Sequence, residues 1–309
     1  MSELRLDGKV ALVTGAGRGL GRSYARLLAA RGARIVVNDP GVTLRGEGGD
    51  EGPASVVAHE IRSSGGEAVA NFASVADEVG ASAAVAHAID CFGRIDIAVN
   101  NAGIFMPERG FLETSSESFM RLWQVHVMGT VNITRAAWPH LMAQSFGRII
   151  NTTSHVGYLG CAGLLEYSVA KGAIHGFTRS LALEAEGSGV TVNAVAPGAM
   201  TRPVTELAGL PETFSSPAYD ATLVAPTLVW LAHDSCKVNG EIFGVMSGTT
   251  TRIKVAETKG FRSRNPTPEA VRDNFDRVLD ADALAKSELL FSVDAKQRGA
   301  DLVALYDTL

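Results

Sequence analysis

Short, almost continuously apolar runs recur along this chain and set narrow limits on what it can fold into. "KVALVTG" (9–15), "RIVVND" (34–39), "EAVANFA" (67–73), "IDIAVNNAG" (95–103), "RIINTTS" (148–154), "TVNAVAPG" (191–198) and "EIFGVMSG" (241–248) each read as a strand. A strand apolar on both sides of its pleat must be covered on both faces. Helical patterns fall between the runs, at 20–31, 53–63, 77–91, 117–143, 166–186 and 221–232. Strands and helices in alternation predict an α/β protein, a parallel sheet with helices on both faces. Residues 40–52, "PGVTLRGEGGDEG", interrupt the rhythm as a polar Gly-rich insertion and read as a surface loop. Residues 249–309 continue as a polar tail. Within it, Thr267 is a cap, Pro268 opens a helix, and Val271, Phe275, Val278 and Leu279 share one face.

The chemistry of the whole chain excludes several classes of function. With 46% hydrophobic and 20% charged residues the 309-residue chain can build a large core. A net charge of −5 without a basic block argues against nucleic acid and anionic membranes as partners. No apolar run reaches the roughly 18 residues of a membrane span, and the N-terminus carries charges where a signal peptide needs its apolar segment. Cys91, Cys161 and Cys236 are few and far apart, so neither a disulfide framework nor a metal site is expected. A cytoplasmic protein fits this pattern.

"TGAGRGLG" (14–21) follows the first strand and opens a helix. Gly15, Gly19 and Gly21 allow a tight turn and a close approach of backbone to a pyrophosphate. The helix N-terminus, with Arg18 and Leu20 beside it, faces the anion. Asp39 ends the second strand, where a carboxylate can accept hydrogen bonds from both hydroxyls of an adenosine ribose. Arg18 points the other way, since a basic residue there can hold a 2′-phosphate. Magnitudes favour Asp39: a carboxylate about 4 Å from a phosphate charge costs about 4 kcal/mol at an effective dielectric near 20. An exposed Arg returns only about 1 kcal/mol. The expected cofactor is therefore NAD. In "NNAG" (100–103), Asn101 can bond backbone where strands splay, Ala102 follows, and Gly103 lets the chain pass close to the cofactor.

Tyr167 and Lys171 in "EYSVAKG" stand four apart, one turn along a helix face. Alone, the pair reads equally as a surface Tyr beside a solvated Lys. Ser154 changes that reading. It closes the fifth strand, 13 residues earlier, and ligands of a doubly wound sheet collect at the carboxyl ends of strands. Reducing a carbonyl needs a proton donor at its oxygen and a second donor to orient it. Tyr167 can be that acid/base if Lys171 and a positive nicotinamide ring stabilise its phenolate by roughly 4 kcal/mol.

TGxxxGxG, NNAG, a Ser 13 residues before a Tyr, and YxxxK, in this order, resemble the short-chain dehydrogenase/reductase family over residues 7–250. The resemblance implies a single Rossmann-type doubly wound domain. Its seven-stranded parallel sheet would have the order 3-2-1-4-5-6-7, over residues 1–250. A helical C-terminal extension, 251–309, would pack on that domain or on a dimer partner. It implies that Ser154, Tyr167 and Lys171 are catalytic and that Lys171 also bonds the nicotinamide ribose. Pro197 would border the nicotinamide and Thr201 its carboxamide. His126 stands where most members have a catalytic Asn, and either orients a water or simply packs. Ala73 stands where an Asp usually lies near the adenine. "VVNDPG", "VHVMGTVNITRAAWPHL", "FGRII" and "NPTPEAVRDNF" further resemble the multifunctional branch of the family, which acts on (3R)-hydroxyacyl-CoA or steroid-like alcohols. That branch implies a homo-oligomer, a dimer or tetramer.

The substrate side should be lined by "HVGYLGCAGLLE" (155–166), with Leu159, Cys161, Leu164 and Leu165 as its apolar wall, and by 199–220. Arg202, Arg252 and Lys254 are candidates by position for the phosphates of an acyl-CoA. The leading expectation is an NAD-dependent secondary-alcohol dehydrogenase. Its rivals are a reductase of a small cyclic or terpenoid ketone and, from another class, an NAD(H)-binding sensor without turnover.

Overall fold

A computed structural model describes residues 3–106, 110–199, 217–255, 258 and 260–279. The chain divides into two compact units, Met1–Ile253 and Lys254–Leu309.

In the first unit the apolar runs become strands β1 (Val10–Thr14), β2 (Arg34–Asn38), β3 (Ala68–Asn71), β4 (Ile97–Asn100), β5 (Gly147–Thr152), β6 (Val190–Gly198) and β7 (Ile242–Met246). All seven run parallel in one sheet. The sheet has an eighth strand, β8 (Thr249–Ile253), antiparallel to β7, and the full order is β3-β2-β1-β4-β5-β6-β7-β8. The seven parallel strands stand in the expected order, and this antiparallel edge adds an eighth. "TTTRI" has no apolar run because its residues are exposed on the rim. It is paired through a two-residue turn, Ser247 and Gly248, both with positive φ (+52° and +73°), the geometry that suits a tight hairpin.

Alternate residues of β1 serve two cores. Ala11 and Val13 pack with Tyr24 and Leu28 of α1 (Gly19–Ala30) and with α2 (Gly52–Ser63). Val10 and Leu12 pack on the other face with Ala84 and Val85 of α3 (Glu78–Phe92), which Asp77 caps through the Gly80 N–H at 2.8 Å. The helical pattern at 117–143 is one helical run with a defect: α4 (Ser116–Trp123) passes through a π-turn (Gln124–Met128) into α5 (Gly129–Ala143). A short α6 (Val156–Leu159) precedes α7 (Leu165–Glu184), and α8 (Ala225–Ala232) covers the first core.

In the second unit, Thr267 caps α9 (Pro268–Asp273) by accepting from the Ala270 N–H at 3.1 Å. The single amphipathic helix expected there is two short ones. Asn274 turns its side-chain amide back onto the Ala270 carbonyl (2.9 Å) and separates α9 from α10 (Phe275–Leu279).

Candidate active site

The carboxyl ends of β1, β2, β4, β5 and β6 open into one cleft of about 880 Å³, within the range of cofactor and small-molecule sites. Every candidate named for catalysis or for holding the cofactor lines it, apart from Thr201, which lies outside the described residues, as does Arg202.

At one end lies the glycine loop. Gly15 has φ +62°, and a Cβ there would stand 2.8 Å from Ala102 Cα; a Cβ on Gly21 would stand 2.2 Å from the Gly15 carbonyl oxygen. No side chain could occupy those positions. α1 begins at Gly19 after Arg18, with no side-chain cap and no acidic residue in its first turn. Its N–H groups, with Leu20 beside them, line the cleft as a seat that suits a pyrophosphate. The loop is braced by a residue that sequence reasoning passed over. Thr14 Oγ1 accepts from Asn101 N–H and Ala102 N–H, both at 3.0 Å, and donates to the Val99 carbonyl at 3.2 Å. Asn101 Nδ2 in turn donates to the carbonyls of Thr14 (2.9 Å) and Gly15 (3.1 Å). The threonine of the motif's "TG" thus ties β1 to β4.

Asp39 is fixed by backbone on both oxygens. Oδ2 accepts from Gly17 N–H at 2.9 Å and Oδ1 from Gly41 N–H at 2.8 Å. Gly17 is therefore required as well, because a Cβ on it would stand 2.8 Å from Oδ2. The loop after Asp39 is exposed for much of its length, but Pro40, Val42, Leu44 and Gly46 also wall the cleft, which a plain surface loop would not do.

Deeper in, Tyr167 and Lys171 project from the first turns of α7, and Ser154 stands just past β5. A buried polar ladder locks these elements together. Asn100 Nδ2 donates to Asn151 Oδ1 (2.9 Å) and Thr134 Oγ1 (3.0 Å), and Asn151 Nδ2 to Thr178 Oγ1 (2.9 Å). The neighbouring Ser154 hydroxyl favours the phenolate of Tyr167, but burial outweighs it and pushes the phenol above its usual value. Lys171 is buried, donates from Nζ to the Thr152 carbonyl at 2.8 Å, and is brought down by burial to about 7. In the polypeptide by itself burial is thus the larger effect on the phenol. The ammonium is 5.6 Å from the phenol ring centre, and burial weakens its own hold on the proton.

His126 sits in the π-turn, its ring edge-on to Tyr167 with centroids 5.6 Å apart. Nε2 lies 2.8 Å from the Ile104 carbonyl and 3.2 Å from the Ile104 nitrogen, so the Ile104 backbone occupies it. Nδ1 is buried with no partner among the described residues. Burial first, then the Lys171 charge, pushes the imidazole down to about 3, so it stays neutral at working pH. Gly103 is explained here too. A Cβ on it would lie 2.5 Å from His126 Cε1, so its glycine admits the imidazole.

The depressed imidazole has a consequence for acid stability. Between about pH 3 and 6.5 His126 is neutral in the fold and protonated once unfolded, so the unfolded chain binds more protons. Its contribution is complete above 6.5 and is lost as pH falls toward 3. Denaturant midpoints should show that His126→Asn removes part of the acid limb, roughly 2–3 kcal/mol at about pH 4.5. An unaltered acid limb in the variant would show that His126 is not buried as a neutral ring.

The short chain dehydrogenase model matches residues 9–209, and the residues that match include every described residue placed above in the cleft chemistry. This chain belongs to the short-chain dehydrogenase family. Members bind NAD(H) or NADP(H), and the protein is an oxidoreductase acting on a CH–OH group. It is 43% identical over 293 residues to the peroxisomal multifunctional enzyme type 2 of Mus musculus, covering 94% of this chain and 39% of that one. Full-length peroxisomal multifunctional enzyme type 2 from Drosophila melanogaster superposes with a TM-score of 0.80 at 32% identity, over 99% of this chain and 51% of that one. The chain thus spans about half or less of these two relatives. The 3-ketoacyl-(acyl-carrier-protein) reductase of Brucella melitensis, complexed with NADH, matches with a TM-score of 0.69 at 30% identity, over 79% of this chain and 98% of that one.

Within this dehydrogenase, Pro197 and Gly198 end β6 at the rim of the cleft. The substrate wall differs from expectation. Val156 and Leu164 line the cleft, while Leu159, Cys161 and Leu165 are exposed to solvent. Leu159 ends the short α6, Cys161 follows it and Leu165 opens α7, a change of direction that an apolar string does not reveal. Arg252 is paired with Glu241 across the β7–β8 pair. Among the described residues no helix is long and apolar enough to cross a membrane, and no cluster could hold a metal ion.

Proposed function

We propose that this chain is an NAD-dependent dehydrogenase that interconverts a secondary alcohol and its ketone. Its substrate would be a (3R)-hydroxyacyl-CoA thioester or a bulky lipid- or steroid-like alcohol. The observation that carries the reading is the meeting of Ser154, Tyr167 and Lys171 in the cleft that starts at the glycine loop. Bound there, NAD+ supplies the hydride acceptor and a positive ring charge. The Tyr167 oxygen takes the hydroxyl proton as the alcohol is oxidised, and returns it in the reverse direction. Ser154 donates to the same substrate oxygen and orients it. Lys171, anchored on the Thr152 carbonyl and near the midpoint of its titration at neutral pH, keeps a proton close to the phenol. His126, neutral and buried, packs the tyrosine ring in place.

The Asp39 carboxylate, fixed by the Gly17 and Gly41 N–H groups at the end of β2, supports NAD over NADP because it would repel a 2′-phosphate on the adenosine ribose. Ile104, Phe105, Val156, Leu164 and Met246 give the cleft an apolar wall that suits a lipid-like substrate. The few, separate cysteines suit a reducing compartment such as the cytoplasm. Met120 on α4 and Leu165 and Val169 on α7 expose apolar surface that a homodimer or homotetramer would cover.

The test is dinucleotide reduction, followed by absorbance, with NAD+ and NADP+ across (3R)-hydroxyacyl-CoA thioesters, hydroxysteroids and cyclic terpenols. Thioesters or steroids should turn over with NAD+. Turnover of terpenols alone would contradict the substrate class, and none on any of these would favour a sensor.

A further inference from the structure

Residues 40–51 join β2 to α2, and their form is more elaborate than a connection needs. The base is closed where Asp50 N–H donates to the Pro40 carbonyl at 3.1 Å. At Gly41 (φ +70°) the Asp50 carbonyl oxygen lies 1.8 Å from where a Cβ would stand, so only glycine closes it. The tip is a built turn. Gly46 N–H donates to the Thr43 carbonyl (3.0 Å), Thr43 N–H to the Glu47 carbonyl (2.9 Å), and Glu47 N–H to Thr43 Oγ1 (3.2 Å).

That tip is docked on the far side of the cleft. Phe105 N–H donates to the Leu44 carbonyl at 2.8 Å, and Arg121 of α4 pairs with Glu47 at 3.2 Å. Gly46 (φ +78°) lies so close to Ile104 that a Cβ would be 3.2 Å from Cγ2. Sheet order turns this docking into a crossing. β2 and β4 flank β1, and the glycine loop issues from the carboxyl end of β1. A loop that leaves the end of β2 and docks just beyond β4 spans the mouth between them.

We propose that residues 40–51 are a strap across the bound dinucleotide and that Arg121, acting through Glu47, is a positioning residue that keeps it shut. Dinucleotide release then waits on the strap. The proposal rests on the dinucleotide reading above. The strap also reaches the chemistry at one remove, because Phe105, held by Leu44, packs edge-on to Tyr167 with ring centres 5.5 Å apart.

The experiment is stopped-flow dissociation of NADH, read by fluorescence, from the parent, Arg121→Ala, Glu47→Ala, their double variant and Gly46→Val. Each alanine should speed release about two- to fivefold, the scale of an exposed ion pair. The double variant should be no faster than Arg121→Ala, since Arg121 holds the loop both at Glu47 and at the Arg45 carbonyl (3.5 Å) and its loss removes both contacts. Arg121 also lies 3.7 Å from Glu117, and a role through that contact would instead make the two alanine effects additive and overturn the latch. Gly46→Val puts a β-branched residue at positive φ against Ile104 and should speed release about tenfold or more. A parent that binds NADH while all variants release it at the parent rate overturns the strap alone. A parent that binds no NADH overturns the dinucleotide reading and the strap with it.

Discussion

Replacing Tyr167 by phenylalanine lowers turnover about 10²- to 10⁴-fold, the usual worth of a positioned general acid or base, and leaves NADH binding near the parent value. The ring is held by packing that the substitution keeps, edge-on to Phe105 at 5.5 Å and to His126 at 5.6 Å. Only the oxygen goes, and with it the influence of Ser154 on the phenol. Lys171 retains its own anchor on the Thr152 carbonyl, so the charge of the site is not scrambled. NADH titration by fluorescence, beside a rate measurement, separates loss of chemistry from loss of binding. A variant with the parent rate would remove Tyr167 from the mechanism.

Asp39→Ala should shift cofactor preference toward NADP by up to about 10³-fold in the ratio of kcat/KM values. That is the size of roughly 4 kcal/mol of repulsion between a carboxylate and a phosphate about 4 Å apart at an effective dielectric near 20. Arg18, exposed at the same end of the cleft, would then face a 2′-phosphate without a competing anion. The same substitution removes two backbone hydrogen bonds, from Gly17 and Gly41, so binding of both dinucleotides should weaken somewhat. Steady-state rates with NAD+ and NADP+ measure both effects. An unchanged ratio would mean that selection lies elsewhere.

The apolar runs revealed the sheet because strands buried on both faces cannot be anything else, and both cores use successive residues of β1. β8 escaped notice for the opposite reason: an edge strand of threonines has no apolar face, and its only signal was Ser247-Gly248 ahead of β-branched residues. The residues proposed to react were picked out by their spacing, and the fold brings them to one cleft. Their electrostatics were not legible in the sequence, since burial of Tyr167 and Lys171 opposes the simple picture of a lysine lowering a phenol. The strap was read from composition as a surface loop. Its docking depends on a backbone hydrogen bond from Phe105 to Leu44, which leaves no trace in side-chain identity, and on the Arg121–Glu47 pair, whose members stand 74 residues apart. Gly103 and Gly17 were legible as glycines but not for what they accommodate, an imidazole ring and a carboxylate.

The most direct measurement is transfer of label in a single turnover. A (3R)-hydroxyacyl-CoA carrying deuterium on its carbinol carbon is mixed with the protein and NAD+, and the dinucleotide is examined by mass spectrometry. The account predicts that the deuterium arrives on the nicotinamide ring, in step with ketone formation, and that Tyr167→Phe slows this transfer. Ketone formed without label on the ring, or no ketone from any secondary alcohol with NAD+, would contradict it.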